Sequence, residues 1–192
     1  MARESKRLTQ GDIMDNRDEL INLTKKGIGF PFAGLMVICF CTLAIHFMPQ
    51  RQALVMVIFA TGSTFPIAFL ISKMFKVNPF AKHPPLSNLG TVLACAQFLY
   101  WPVLILVFQL VPNWFPFAFA ILFGSHFIPF GWLYKSRAYY FLGIAMPLVG
   151  CVMTAFGSEF SYLYTFWALI PLYFFTCKLL LKENSSFRYA EL

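Results

Sequence analysis

His126 has more chemistry to offer than any other residue of this 192-residue chain, because it stands in the middle of a long apolar run. An imidazole can exchange a proton, ligate a metal or hold a substrate by hydrogen bonds. Ser125 precedes it, and Ser63, Thr64, Gln97 and Tyr100 fall at comparable depth in two other apolar runs. Pro66 and Pro129 lie close by. A proline cannot donate to the carbonyl four residues earlier, and its ring pushes that carbonyl aside. Pro66 therefore frees the carbonyl of Gly62, and Pro129 that of Ser125. Broken helices that gather polar groups at one depth are a common way to build a transport site.

Catalysis finds less support. Ser125 and His126 are adjacent, so on a helix they point roughly 100° apart and cannot act as a nucleophile–base pair. Ser63 could meet His126 across two helices, but no carboxylate is placed to orient the imidazole. No Asp or Glu falls inside an apolar run, and Glu159 stands only at the start of the last one. H-E-x-x-H and Gly-x-Ser-x-Gly signatures are absent. Haem would ask for a second histidine at matching depth, whereas His46 lies at a rim and His83 in a loop. Cys39, Cys41, Cys95, Cys151 and Cys177 lack paired-loop or metal-type spacing and read as packing or lipid-facing residues. The expectation is no metal and no cofactor. Two readings of His126 stay open. It is an uncharged imidazole bonded to Ser or Gln between helices, or a group that handles substrate or protons. The hydroxyls beside the prolines carry the same ambiguity, since Ser and Thr often only re-satisfy a loosened backbone.

The elements that carry these residues follow from hydropathy. Apolar stretches run over Ile28–Phe47, Ala53–Lys73, Leu89–Leu110, Phe115–Tyr134, Ala138–Phe156 and Phe160–Leu181. Each is close to the ~20 residues that cross a hydrocarbon core as a helix. Lipid offers the backbone no hydrogen-bond partner, and the runs are continuously apolar rather than alternating, so helices are predicted and strands excluded. The expected fold is all-α, a polytopic bundle of six transmembrane helices. Residues 1–27 form an N-terminal tail, 28–181 the membrane domain and 182–192 a C-terminal tail. The tail before the first run is charged and mixed, unlike a cleavable leader. Its residues 10–26 can form an amphipathic interfacial helix with Ile13, Met14, Leu20, Ile21 and Leu23 to one side, or stay a polar tail.

Charge then orients the bundle. Arg3, Lys6, Arg7, Arg17, Lys25 and Lys26 precede the first span, and Lys73, Lys76 and Lys82 follow the second. Lys135 and Arg137 follow the fourth, and Lys178, Lys182 and Arg188 end the chain. Only Arg51 falls on the opposite face. The positive-inside rule makes both termini cytoplasmic. A net charge of +7 could point to nucleic acid, but here the basic residues flank spans, where anionic lipid headgroups are the expected partners.

Two further patterns bear on assembly. Pro49 and Pro112 are 63 residues apart, as are Pro66 and Pro129, and Gly62-Ser63-Thr64-Phe65 is echoed by Gly124-Ser125-His126-Phe127. The first two hairpins thus read as tandem copies, with a fainter echo in the third at Gly157-Ser158-Glu159-Phe160. Gly143, Pro147, Gly150, Thr154 and Gly157 form a small-residue seam on span five, suited to close packing or to self-association as a homo-oligomer.

The segments Phe59-Ala60-Thr61-Gly62-Ser63-Thr64-Phe65-Pro66 and Phe123-Gly124-Ser125-His126-Phe127-Ile128-Pro129 resemble an uncharacterised family of small bacterial integral membrane proteins, a domain of unknown function. The resemblance covers the chain from about residue 29 onward. It implies a bacterial plasma membrane setting and brings no activity with it. The residues themselves point to a small-molecule or ion permease with a midplane site at His126, Ser125, Ser63, Thr64, Gln97 and Tyr100, between helices two, three and four. The alternative is a scaffold, partner subunit or stress-response protein whose polar groups only hold helices together.

Overall fold

The computed structural model describes residues 10–77 and 86–188, with side chains over 17–77 and 86–186. Arg3, Lys6, Arg7, Lys82 and His83 lie outside the described residues, as do residues 189–192 and the side chains of Ile13, Met14 and Arg188. The described chain is helical, in the order α1 (Gln10–Thr24), α2 (Gly29–Phe47), α3 (Gln50–Met74), α4 (Leu86–Ala96), α5 (Tyr100–Leu110), α6 (Phe115–Ser125), α7 (Phe127–Leu133), α8 (Arg137–Ala155) and α9 (Ser158–Arg188). Six helical segments are long and apolar enough to cross a membrane, with α4–α5 forming the third and α6–α7 the fourth. The chain is an all-α polytopic integral membrane protein.

Helices α2, α3, α5, α6, α8 and α9 share one core, in which Leu54, Phe115, Leu142, Met146, Phe166 and Leu169 are fully buried and α5 contributes Leu104. The small-residue seam of span five packs on span four. A Cβ at Gly143 would lie 2.8 Å from Ile128 Cγ1, and one at Gly124 would lie 2.5 Å from Pro147 Cδ. Such backbone approach is open only to the smallest residues. A second cluster closes the end that carries α1: Leu20 and Ile21 of α1 are buried with Ile28, Leu86, Leu133 and Tyr139. The amphipathic segment is therefore docked on the bundle, while Leu23 remains exposed.

Ion pairs hold that end. Lys26 Nζ lies 3.1 Å from Glu183 Oε2, and Glu183 Oε1 accepts from the Ala138 N–H at 3.0 Å. Helix α9 continues past this contact to Arg188. Lys135 pairs with Asp18 at 2.6 Å, and Arg17 donates to the Trp132 carbonyl while its guanidinium lies 4.5 Å over the Trp132 ring.

The proline positions behave unequally. Helix α3 runs through Pro66 without interruption, so the expected break there does not form. Its later half is pinned on α2, where Ala68 is fully buried beside Gly29, and tertiary packing outweighs one lost hydrogen bond. Span four does break, in its hydrogen bonding alone: α6 ends at Ser125 and α7 starts at Phe127, and His126 between them keeps helical dihedral angles (φ −59°, ψ −28°). A further break, not anticipated, divides span three at the 3₁₀ turn Gln97–Leu99. Pro102 supplies its cause, since it cannot donate to the Phe98 carbonyl.

Candidate functional site

Two facing helix stripes make the site. Span four presents Phe123, Phe127, Phe130 and Tyr134 at i, i+4, i+7 and i+11, a wall of rings that includes the Phe130–Tyr134 pair stacked at 6.0 Å. The facing stripe of α4 is Ser87, Gly90, Thr91, Ala94 and Cys95, also at helical spacing. These short side chains cannot span the distance to the aromatic wall. The result is a cavity of about 500 Å³, within the usual range for small-molecule sites. It reaches from Phe123 and His126 to Leu20 and Thr24 of α1, and α3 adds Thr64 and Phe65.

His126 sits on this wall at 6% exposure. Its ring is held by other rings: Phe130 at 4.9 Å, Phe127 at 5.8 Å and Tyr100 edge-on at 6.3 Å. Among the described residues no hydrogen-bond partner reaches the imidazole, neither the expected serines nor Gln97. The break at His126 places the imidazole where two helical segments meet, and the loosened backbone there follows from Pro129.

The six polar residues singled out in the sequence divide into two groups. Thr64, Gln97 and His126 line the cavity together. Ser63, Ser125 and Tyr100 do not. Ser63 donates to the Ala60 carbonyl at 2.7 Å and Ser125 to the Leu122 carbonyl at 3.1 Å, each satisfying its own helix. Ser125 is exposed on the outside of the bundle, because its position on α6 is about a third of a turn from that of His126. Tyr100 acts on the site through its ring contact with His126.

Sequence reading missed the polar residues of α4. Ser87, Asn88 and Thr91 line the cavity, with the Thr91 hydroxyl donating to the Ser87 carbonyl at 2.9 Å. The signal was present as small and polar residues recurring every three to four positions in an apolar span. Tyr139 and Tyr173 were also missed. Tyr139 donates to the Lys26 carbonyl at 2.8 Å and so ties the cavity wall to the turn before α2.

No Asp, Glu, Lys or Arg lies among the described lining residues. Among the described charges at the α1 end, Lys26 pairs with Glu183, Lys135 pairs with Asp18, and Lys25 donates to the Phe75 carbonyl. Among the described residues, no group of three His, Cys, Asp or Glu side chains could hold a metal ion.

A family of unknown function (DUF7010) matches the chain over residues 13–183, most of its length. No curated protein and no solved structure matches it.

Proposed function

The chain belongs to that family, and we propose that it is a permease-like membrane protein that holds a small molecule in the cavity between spans two, three and four. The observation that carries this reading is His126, a polar side chain nearly buried, without a hydrogen-bond partner among the described residues, facing a cavity of about 500 Å³. The imidazole lines the cavity and no described protein group bonds to it, so a ligand seated there can supply its hydrogen bonds. The break in span four at His126 and the 3₁₀ turn in span three at Gln97–Leu99 bring two irregular helices to one cavity. In this reading the protein sits in a bacterial plasma membrane with its α1 end toward the cytoplasm, an orientation that the basic residues around the spans support.

A test replaces the five native cysteines and introduces single cysteines by Thr64→Cys, Gln97→Cys and Ser125→Cys. A membrane-impermeant thiol reagent is then applied from each side. The permease reading expects Thr64→Cys and Gln97→Cys to be labelled from the α1 side, with Ser125→Cys protected by lipid. Protection of both cavity positions from both sides, in folded protein and across conditions that shift its conformation, would sink it.

One observation favours the second reading, a partner subunit or scaffold. Only 6% of the apolar window of span three is buried, against 28–56% in the other five. Another chain could cover that surface. Site-specific cross-linking from Val92 and Leu106, both exposed on span three, separates the readings: a protein adduct in native membranes supports the partner, and lipid adducts alone support the permease.

A further inference from the structure

We propose that the molecule this cavity takes is an uncharged amphiphile dissolved in the membrane, seated with its polar group on His126 and admitted past span three. The inference rests on the permease reading and names its substrate class.

Charge is the first argument. The described lining holds no ionised side chain, and the ion pairs at the α1 end are satisfied by one another. A charged ligand beside His126 would thus sit near mid-membrane with no counter-charge among the described residues, which is the costliest arrangement a bilayer allows. An uncharged ligand pays no such penalty.

The wall decides the rest of the ligand. Phe65, Phe123, Phe127 and Phe130 offer apolar surface along the cavity, suited to a hydrocarbon or ring system. Polar capacity stands at two levels, the first of them beside His126. An uncharged imidazole has one donor and one acceptor nitrogen, and the Gln97 amide has both kinds of group. Together with Thr64 they can meet one hydroxyl or carbonyl from several sides. Ser87 and Asn88 provide a second polar rim toward α1, where Thr24 also lines the cavity. A ligand with a long apolar body and a hydroxyl or carbonyl end matches this layout, and an ion does not.

Entry follows from span three. It is the least buried of the six spans, and it carries the 3₁₀ turn Gln97–Leu99 at the level of the cavity. Short 3₁₀ stretches inside a helix often mark hinges. With Leu86 and Leu104 as its buried contacts, one on each side of that turn, the span can bend at the turn and open the cavity toward lipid.

The experiment uses the full-length protein in lipid nanodiscs and three photoreactive probes that share one diazirine-bearing hexadecyl chain. One probe ends in a hydroxyl, one in a carboxylate and one in trimethylammonium. Adducts are mapped by peptide mass spectrometry. The hydroxyl probe should label the cavity faces of α4 and α7 roughly fivefold more than either charged probe, as one hydrogen bond without a desolvated charge implies. His126→Phe should lower that labelling by a similar factor, and His126→Asn, which keeps a donor and an acceptor, should retain most of it. Size-exclusion profiles identify any variant that fails to fold, and the headgroup comparison on the unmodified protein stands without variants. Equal labelling by all three probes, or hydroxyl-probe adducts confined to lipid-facing residues, would overturn the proposal. Cysteine access separates the two readings. Water reaching Thr64→Cys without hydroxyl-probe adducts sinks the amphiphile and leaves a permease for a polar solute. Adducts on the cavity wall with no aqueous access keep the ligand and sink the permease.

Discussion

The first two hairpins carry the same punctuation and pack in opposite ways. Their turns meet directly, since Gln50 donates to Asn113, 63 residues further on. Their far ends share one cap geometry as well. Val77 N–H donates to the Ser72 carbonyl at 2.9 Å with Lys76 at φ 55°, and Ser136 N–H donates to the Gly131 carbonyl at 3.0 Å with Lys135 at φ 46°. These are Schellman-type ends with lysine where glycine is usual. The capping lysines are 59 residues apart rather than 63, so span four is shorter by about one helical turn.

Packing separates the copies. In the first hairpin α2 lies on α3 so closely that a Cβ at Gly29 would overlap Ser72 Oγ and lie 2.5 Å from the Ala68 carbonyl. In the second, a Cβ at Gly90 would lie 3.3 Å from the Leu133 side chain, and the aromatic wall beyond it leaves the cavity. The ion pairs follow suit. Lys26–Glu183 beside the first hairpin has side chains 6% and 15% exposed, whereas Lys135–Asp18 beside the second has 29% and 44%. Repeated helix breaks fix where spans turn. The side-chain volumes facing each other fix whether the gap closes. One copy is built as a wall and the other as a site.

That contrast can be broken by measurement, beginning with the largest effect. Lys26→Met strands the Glu183 carboxylate in a nearly buried position, and should cost about 3 kcal/mol in reversible unfolding in detergent. A loss below about 1 kcal/mol would mean that the first hairpin is no better anchored than the second.

Gly29→Ala comes next. The added methyl meets backbone and should cost about 2 kcal/mol. At Gly90 the same change meets only a flexible leucine tip, and its better helix propensity should leave stability neutral or up to about 1 kcal/mol higher. Equal costs at the two glycines would erase the comparison.

His126→Phe sharpens the meaning of the cavity. Replacing an unpartnered polar group by an apolar one should leave stability unchanged or raise it by up to about 1 kcal/mol. A loss of 2 kcal/mol or more, seen by thermal unfolding, would instead make the imidazole a structural group.

The smallest effect is expected at the exposed pair. Asp18→Asn should cost less than about 1 kcal/mol, and the cost should shrink as salt is added. A large, salt-insensitive loss would show α1 to be anchored as firmly as the Lys26 turn.

The sequence by itself determined the class and the six helices. Continuous hydropathy over a helix length and the lack of water for the backbone are local properties, so they can be read without knowing any neighbour. The family resemblance was legible in the same segments, and the family match agrees with it. Of the six candidate polar residues, the sequence supplied the types and the expectation of a shared level. Only the tertiary structure decided that Thr64, Gln97 and His126 share a cavity while Ser63 and Ser125 bond to their own helices. It also decided that α3 passes through Pro66 while spans three and four break at Gln97 and His126. The physical reason is that a rotation of 100° per residue separates neighbours onto different faces. Which face meets a partner depends on the volumes across the gap, and those belong to another helix.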